Sequence, residues 1–337
     1  MRIGLFLTSQ QHLEADMVAA FDEHITMVRH ARDAGWDSIF SGQHYLNEGN
    51  SQQLQLVPFL ARLQAEAGEM TIGLGILLLN LHNPVYVAET VASLDVISRG
   101  RLVFGIGLGY REIEFDAFNV PRGQRVARFE ETLELVKRLW AEDSVNHASD
   151  ITQLDNVRMN IRPVQQPHPP IWIAANSDSA VQRAARLGDA WFINPHATLE
   201  TVRRQLTLYR KARASAGLGQ AETLPAMREI YCAPDRETAL RLAGPALGGK
   251  YADYAVWGQD EVMPGEEHFA QPFDELQSDR FVLGSPEDCY EQLRPLWEEF
   301  GVTELIIRTH WAGMPVEHAL QSMQLISDEL LPELRNV

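Results

Sequence analysis

Short apolar runs alternate with longer amphipathic stretches along the whole chain. The runs RIGLFL (2–7), SIFSG (38–42), TIGLGILLL (71–79), RLVFGIGLG (101–109), IWIAA (171–175), AWFIN (190–194), AMREIYCA (226–233) and ELIIRT (304–309) are bounded by turn residues and are predicted as strands. Between them, 126–140 sets Val126, Phe129, Leu133, Val136 and Trp140 three or four residues apart. Residues 316–330 do the same with Val316, Leu320, Met323, Ile326 and Leu330, so both stretches are predicted as helices with one apolar stripe. Strands separated by helices need parallel pairing through right-handed crossovers. Eight such units in 337 residues favour a closed (β/α)8 TIM barrel over an open doubly wound sheet.

Two segments interrupt the alternation within what is otherwise read as a single domain over 1–337. Residues 143–170 end in RPVQQPHPP, a stiff extended lead-in to the fifth strand. Residues 248–284 form an insertion rich in Tyr, Trp, Phe, Gly and Pro ahead of the last helix and strand. Such a segment serves either as a lid over a barrel mouth or as a satellite core under a loop.

In 101–109 every second position is small: Gly105, Gly107 and Gly109 alternate with Phe104, Ile106 and Leu108, and Gly73 and Gly75 repeat the parity one strand earlier. Strand bending explains a single glycine. Five on one face of neighbouring strands point to a sector of the barrel left open for a flat ligand. Active sites in this architecture gather at the C-terminal ends of strands, where Thr8, His44, Asn80, Tyr110, Ala175 to Ser177, Asn194, His196, His310 and Trp311 fall. Singly, each histidine is as readily a hydrogen-bonded surface residue. After the fifth strand, Asn176, Ser177 and Ser179 open a helix whose free N–H groups form either an ordinary N-cap or a seat for an anion. Arg125 and Arg128 offer counter-charge nearby. The first strand end has only Thr8 and Ser9 where barrel metallohydrolases place histidines, which argues against a metal.

Charge then narrows the partners. With 29 basic and 46 acidic residues the net charge is −17, which repels nucleic acid and anionic membrane surfaces. No apolar stretch approaches the roughly 18–20 residues of a membrane span, and no cationic leader precedes an apolar run. A soluble, cytoplasmic protein is expected, its two cysteines, Cys232 and Cys289, being ordinary buried thiols of a reducing compartment.

The stretches AGWDSIFSGQHY (34–45), 71–120 around TIGLGILLLNLHNPVYVAET and RLVFGIGLGYREIEFDAF, 164–192 around QQPHPPIWIAANSDSAVQ, LGSPEDCYEQL (283–293) and ELLPEL (329–334) together resemble the bacterial luciferase-like flavin-dependent oxidoreductases. The resemblance covers essentially the full length. It implies a barrel that binds reduced FMN, or the deazaflavin coenzyme F420 in a related branch, at its C-terminal face. By position it assigns Gly75–Ile76 to a non-prolyl cis peptide under the flavin ring, Gly107, Gly109 and Tyr110 to the neighbouring wall, and Ala175, Asn176, Ser177, Ser179 and Arg128 to the phosphate. His44 matches the family's histidine after the second strand and is the catalytic candidate; His196, His310 and Trp311 are candidates for contact with substrate. Two positions depart from the family: Leu108 replaces the luciferase arginine of the fourth-strand loop, and Gln43 replaces a frequent glutamate. The implied activity is oxidation of a small organic substrate by O2, with a separate flavin reductase as partner and a homodimeric assembly. Deazaflavin-dependent hydride transfer is the alternative, and a flavin-binding protein without catalysis a further one.

Overall fold

The computed structural model describes residues 1–265 and 268–337. Among the described residues ten strands form one parallel sheet, nine of them in a continuous path: β1 (Arg2–Leu7), β2 (Ser38–Ser41), β3 (Thr71–Leu74), β4 (Leu102–Gly107), β5 (Ile171–Ala174), β6 (Ala190–Phe192), β7 (Pro225–Cys232), β8 (Phe281–Gly284) and β9 (Glu304–Arg308), with the two-residue strand Leu77–Leu78 paired to β4 beyond the end of β3. Their order is β6-β5-β4-β3-β2-β1-β9-β7-β8. Neighbouring chain-order strands pair in register, Gly4 beside Ser38 and Ile39 beside Ile72. Past β6, a single parallel bridge joins Ile193 to Ala226, with the Ile193 N–H donating to Pro225 O at 3.0 Å and the Met227 N–H to Ile193 O at 2.9 Å. The result is a TIM-barrel-like α/β fold with a curled parallel sheet.

Alternation along the strands divides the core in two. Ile3, Leu5, Leu7, Ile39, Leu102, Phe104 and Ile106 face outward into a continuous apolar layer shared with the helices. Phe6, Phe40, Val103, Trp172, Phe192, Met227 and Ile306 face inward and pack together, Phe40 stacked on Trp172 at 5.3 Å. The glycine face is therefore partly filled by the protein itself. A Cβ on Gly73 would lie 1.9 Å from the Phe40 ring, and one on Gly105 would lie 1.8 Å from Leu74 O. Those two glycines exist so that an aromatic ring and a neighbouring backbone can close in; the open part of the face is higher, at Gly75, Gly107 and Gly109.

The helices start where local chemistry directs. Asp16 caps Met17–Asp33 through its carboxylate, Asn83 with Pro84 starts Pro84–Ile97, and Ser285 with Asp288 forms a capping box for Pro286–Glu298. The predicted helix at 126–140 is Arg125–Ala141, and that at 316–330 is α-helical over Val316–Leu325 before a wider turn at Ile326–Leu330.

Two readings of the sequence need correction. Within 143–170 the chain makes an antiparallel hairpin, Val145–Ala148 with Gln153–Val157, before the extended proline run. The run is fastened by Gln165, whose backbone and side-chain N–H groups donate to buried Asp95 at 2.9 and 2.7 Å. The stretch 248–284 is not one loop: it begins inside the helix Arg236–Val256 and ends in β8, which pairs with the outer half of β7. Its apolar composition marked burial, but the helix carries Gly244, Pro245, Gly248 and Gly249 in its middle and β8 is four residues long, so neither shows a period. Tyr251, Phe269 and Phe281 pack edge to face at about 5 Å and are continuous with the apolar layer between sheet and helices rather than a separate core. Among the described residues no helix is long and apolar enough to cross a membrane.

Candidate active site

The C-terminal ends of the strands surround a cavity of about 280 Å³. Its floor is the aromatic layer, with Phe6, Phe192 and Met227 exposed to it, and Tyr254, Gln259 and Val262 from the segment after β7 close part of its wall. Among the sequence-assigned residues, His44, Gly75, Ile76, Gly107, Gly109, Tyr110, Ala175, Asn176, Ser177 and His196 all border this space. The peptide between Gly75 and Ile76 is cis. Gly109 has φ +72°, a conformation that favours glycine, and it turns the chain from β4 along the wall.

One wall is built around His44. Its Nδ1 lies 3.3 Å from Glu114 Oε1, and its ring meets Tyr110 and Trp257 edge on at 5.9 and 5.7 Å. Glu114 is almost fully buried, yet its carboxylate accepts the Tyr45 N–H at 2.8 Å and faces Arg111 at 3.6 Å. Arg111 in turn donates to Tyr45 O and Leu46 O and lies 4.7 Å from the Trp257 ring centre. The carboxylate is thus compensated, and the imidazole is held by one nitrogen at a fixed angle to the cavity. Gln43 serves as a strut rather than a titrating group: its carbonyl accepts the Leu78 N–H at 3.1 Å and its amide donates to Tyr45 Oη at 2.8 Å. A glutamate there would lose the second bond.

At the far end, Ser177 caps the helix Asp178–Leu187, its hydroxyl accepting the Ala180 N–H. Asp178 would repel an anion at this helix start, but Arg204 grips it through two bonds of 2.6 and 2.8 Å, which hold its pKa below the usual range. Asn176 and Ser177 border the cavity while Ser179, hydrogen-bonding distance from Ser177, stands behind them. Arg125, the first residue of its helix, reaches the wall; Arg128 instead donates to Gln124 Oε1 and lies outside the cavity lining. Helical spacing decides between them, since positions three apart point about 60° away from each other.

The fit of a flat, phosphorylated cofactor rests on two further observations. Tyr110 Oη and Asn194 Nδ2 are buried at the cavity wall with no partner among the described residues. Asn194 is oriented by its carbonyl, which accepts the N–H groups of His196 and Ala197 at 2.8 and 3.1 Å, so its amide is left as a fixed donor. Buried donors without partners are rare unless a ligand supplies them. A cradle free of Cβ atoms, two orphan polar groups and a helix start with a cation beside it match a ring system at one end and a phosphate at the other.

The other substrate candidates separate. His196 donates to or accepts from Tyr251 Oη at 3.1 Å, and burial, reinforced by surrounding cations, drives its pKa far down, so it is a neutral imidazole. His310 is buried away from the main cavity, its Nε2 at 3.0 Å from Met314 O and its pKa pushed down to about 4 by burial. Trp311 is also outside; its indole donates to Glu229. Sequence reasoning passed over the residues that surround it. Glu229 and Arg308 stand at inward positions of β7 and β9, in line with Met227 and Ile306, and a charge on the core parity of a strand was the available signal. Lys250, on Arg236–Val256, pairs with Glu229, and Arg308 Nη1 lies 3.7 Å from the same carboxylate.

Known proteins fit this architecture. A sequence profile described as luciferase-like monooxygenase matches residues 1–304. The oxygenase component of flavin-dependent trigonelline monooxygenase from Acinetobacter baylyi is 25% identical, over 98% of this chain and 95% of its own. The F420-dependent glucose-6-phosphate dehydrogenase of Amycolatopsis mediterranei is 27% identical, over 90% and 92%. Among solved structures, the monooxygenase RslO1 from Streptomyces bottropensis superposes with a TM-score of 0.87 at 27% identity, covering 99% of this chain and 100% of that one. The chain belongs to the luciferase-like monooxygenase family of flavin- or F420-dependent oxidoreductases.

Proposed function

We propose that this protein is the oxygenase of a two-component flavin monooxygenase, which takes reduced FMN from a separate reductase and oxidises a small organic substrate with O2. The observation that carries this reading is the convergence on one cavity of the glycine cradle, the anion seat at Ser177 with Arg125, and a histidine oriented by a buried carboxylate. We read the sheet as a closed (β/α)8 barrel completed through the Ile193–Ala226 bridge, and the whole chain as one domain of a cytoplasmic homodimer.

Gly75, Ile76, Gly107 and Gly109 would hold the ring of FMN, and Asn176, Ser177 and Arg125 its phosphate. When bound, reduced FMN supplies the electrons with which O2 is activated. The chain's own residues do the rest. Tyr254, Gln259 and Val262 keep water from the cavity. His44 holds or delivers a proton at its cavity side while Glu114, on Nδ1, fixes the ring and stabilises it when charged. Arg111, buried with Glu114, faces its carboxylate at 3.6 Å.

Hydride transfer with the deazaflavin F420 is the second reading, favoured by the likeness to the glucose-6-phosphate dehydrogenase of Amycolatopsis mediterranei. The two are separated by anaerobic titration of the purified apoprotein with reduced FMN and with reduced F420, followed by mixing with oxygenated buffer in a stopped-flow spectrophotometer. Tight FMN binding with an oxygen-dependent absorbance transient is expected. Tight F420 binding with no such transient would overturn the monooxygenase reading in favour of the second; binding of FMN without oxygen consumption across substrates would favour a non-catalytic flavoprotein.

A further inference from the structure

Beside the main cavity lies a second, of about 200 Å³, and the two share Thr8, Gln10, Tyr254 and Arg308 as a partition. Lys250 borders the smaller one. Among the described residues the charges behind the partition do not balance. Glu229, fully buried, is the acceptor for Lys250 and, on its other oxygen, for the Trp311 indole, with Arg308 3.7 Å away. One carboxylate therefore answers two buried cations. The single carboxylate in the smaller cavity's lining, Asp253, is on the exposed rim.

Lys250 is the clearest case. Its ammonium has three protons, but among the described residues Glu229 is its only hydrogen-bond acceptor; otherwise it faces the rings of Tyr251 and Tyr254, each 4.8 Å from their centres. Arg308 gives its Nε proton to Thr8 Oγ1 at 2.7 Å and another to Tyr254. An excess buried cation is costly unless an anion joins it.

We propose that the substrate is a monocarboxylate whose anionic group is held by Lys250 and Arg308 at the partition, with its apolar body directed into the main cavity toward Phe6, Phe192 and Met227. The proposal rests on the monooxygenase reading for the identity of the reacting site, and adds the substrate class. A monoanion is specified because the cluster is one charge short; a phosphate dianion would overcompensate it. The apolar floor of the main cavity suits an aromatic or aliphatic body and offers no second cluster of cations there.

Calorimetric titration of the full chain, with and without FMN, uses benzoate, cyclohexanecarboxylate and hexanoate against benzamide, cyclohexanecarboxamide and hexanamide, with hexyl phosphate as a further probe. At least one acid is expected to bind about tenfold or more tighter than its amide, the size of one charge-assisted hydrogen bond in a desolvated site. The preference should vanish in Lys250→Met, which leaves Glu229 paired with Arg308, and return in Lys250→Arg. Equal affinity for every acid and amide in the wild type overturns the proposal without any variant, as does a preference that survives Lys250→Met. Tighter binding of hexyl phosphate than of hexanoate overturns the monocarboxylate assignment. FMN affinity is read in the same samples: its loss speaks against the monooxygenase reading, whereas its retention with no acid preference speaks against this inference alone.

Discussion

Two buried carboxylates stand behind residues that line the same cavity, Glu114 behind His44 and Glu229 behind Arg308, and they are compensated differently. Glu114 is met by one guanidinium, one backbone N–H and an imidazole. Glu229 is met by one permanent cation, Arg308, by Lys250, whose proton is weakly held, and by an indole. The first arrangement sets one buried guanidinium against one carboxylate and leaves an imidazole at the cavity. The second has a standing positive excess, and its pKa pattern says so: Glu229 is held below the usual carboxylate range by Lys250 and Arg308 against the effect of burial, while burial and Arg308 together drive Lys250 down to about 7. One carboxylate fully ionised by two cations leaves the weaker cation uncomfortable. The comparison teaches that burial of a carboxylate does not by itself define its task; the number and kind of its partners do.

The comparison breaks most visibly at Glu229. Glu229→Ala strands Lys250 and Arg308 together in a dry interior and is expected to lower stability by about 3–5 kcal/mol. Thermal or urea denaturation measures this, and a change below about 1 kcal/mol would mean that water reaches the cluster. At the other wall stability should hardly move while chemistry does. His44→Ala is expected to lower kcat roughly 10²- to 10⁴-fold with FMN affinity retained, and Glu114→Gln, which keeps an acceptor for the Tyr45 N–H, by a smaller factor. Unchanged turnover in His44→Ala removes the imidazole from the mechanism.

The smallest effect is a slope. Lys250 binds its proton less well in the folded chain, about 7, than in the unfolded one, where an ordinary lysine titrates near 10.4. Between those values the unfolded state holds one more proton, so this residue makes stability rise with pH. Below about pH 7 both states are protonated and its contribution is constant. The gain from pH 7.5 to 9.5 should therefore be larger in the wild type than in Lys250→Met, measured as the midpoint of urea unfolding at each pH. Parallel curves would show that Lys250 remains charged in the folded protein, which would widen the difference between the two walls.

Much of the framework was legible in the sequence. All eight predicted strands exist, and their inward and outward faces follow the alternation read from RLVFGIGLG and its neighbours. β8 was passed over because FVLG is short and uniformly buried, without a period to distinguish it from the loop before it. The turn at Asn176 and Ser177 was visible because capping chemistry is local. The choice of Arg125 over Arg128 was not, because it depends on the direction of the helix relative to the barrel mouth.

What the sequence determined by itself is whatever depends on near neighbours: which segments become strands or helices, which face is apolar, where helices begin. The tertiary structure alone decided which polar groups meet. His44 and Glu114 are 70 residues apart, Trp311 and Glu229 are 82, and Arg308 and Thr8 are 300. Each pair joins the ends of different strands, and the register and curl of the sheet set their distance. Hydrophobic burial obliges the strands to form but is non-directional; the partners of a buried charge are fixed only when the sheet curls and excludes the water that would otherwise have served.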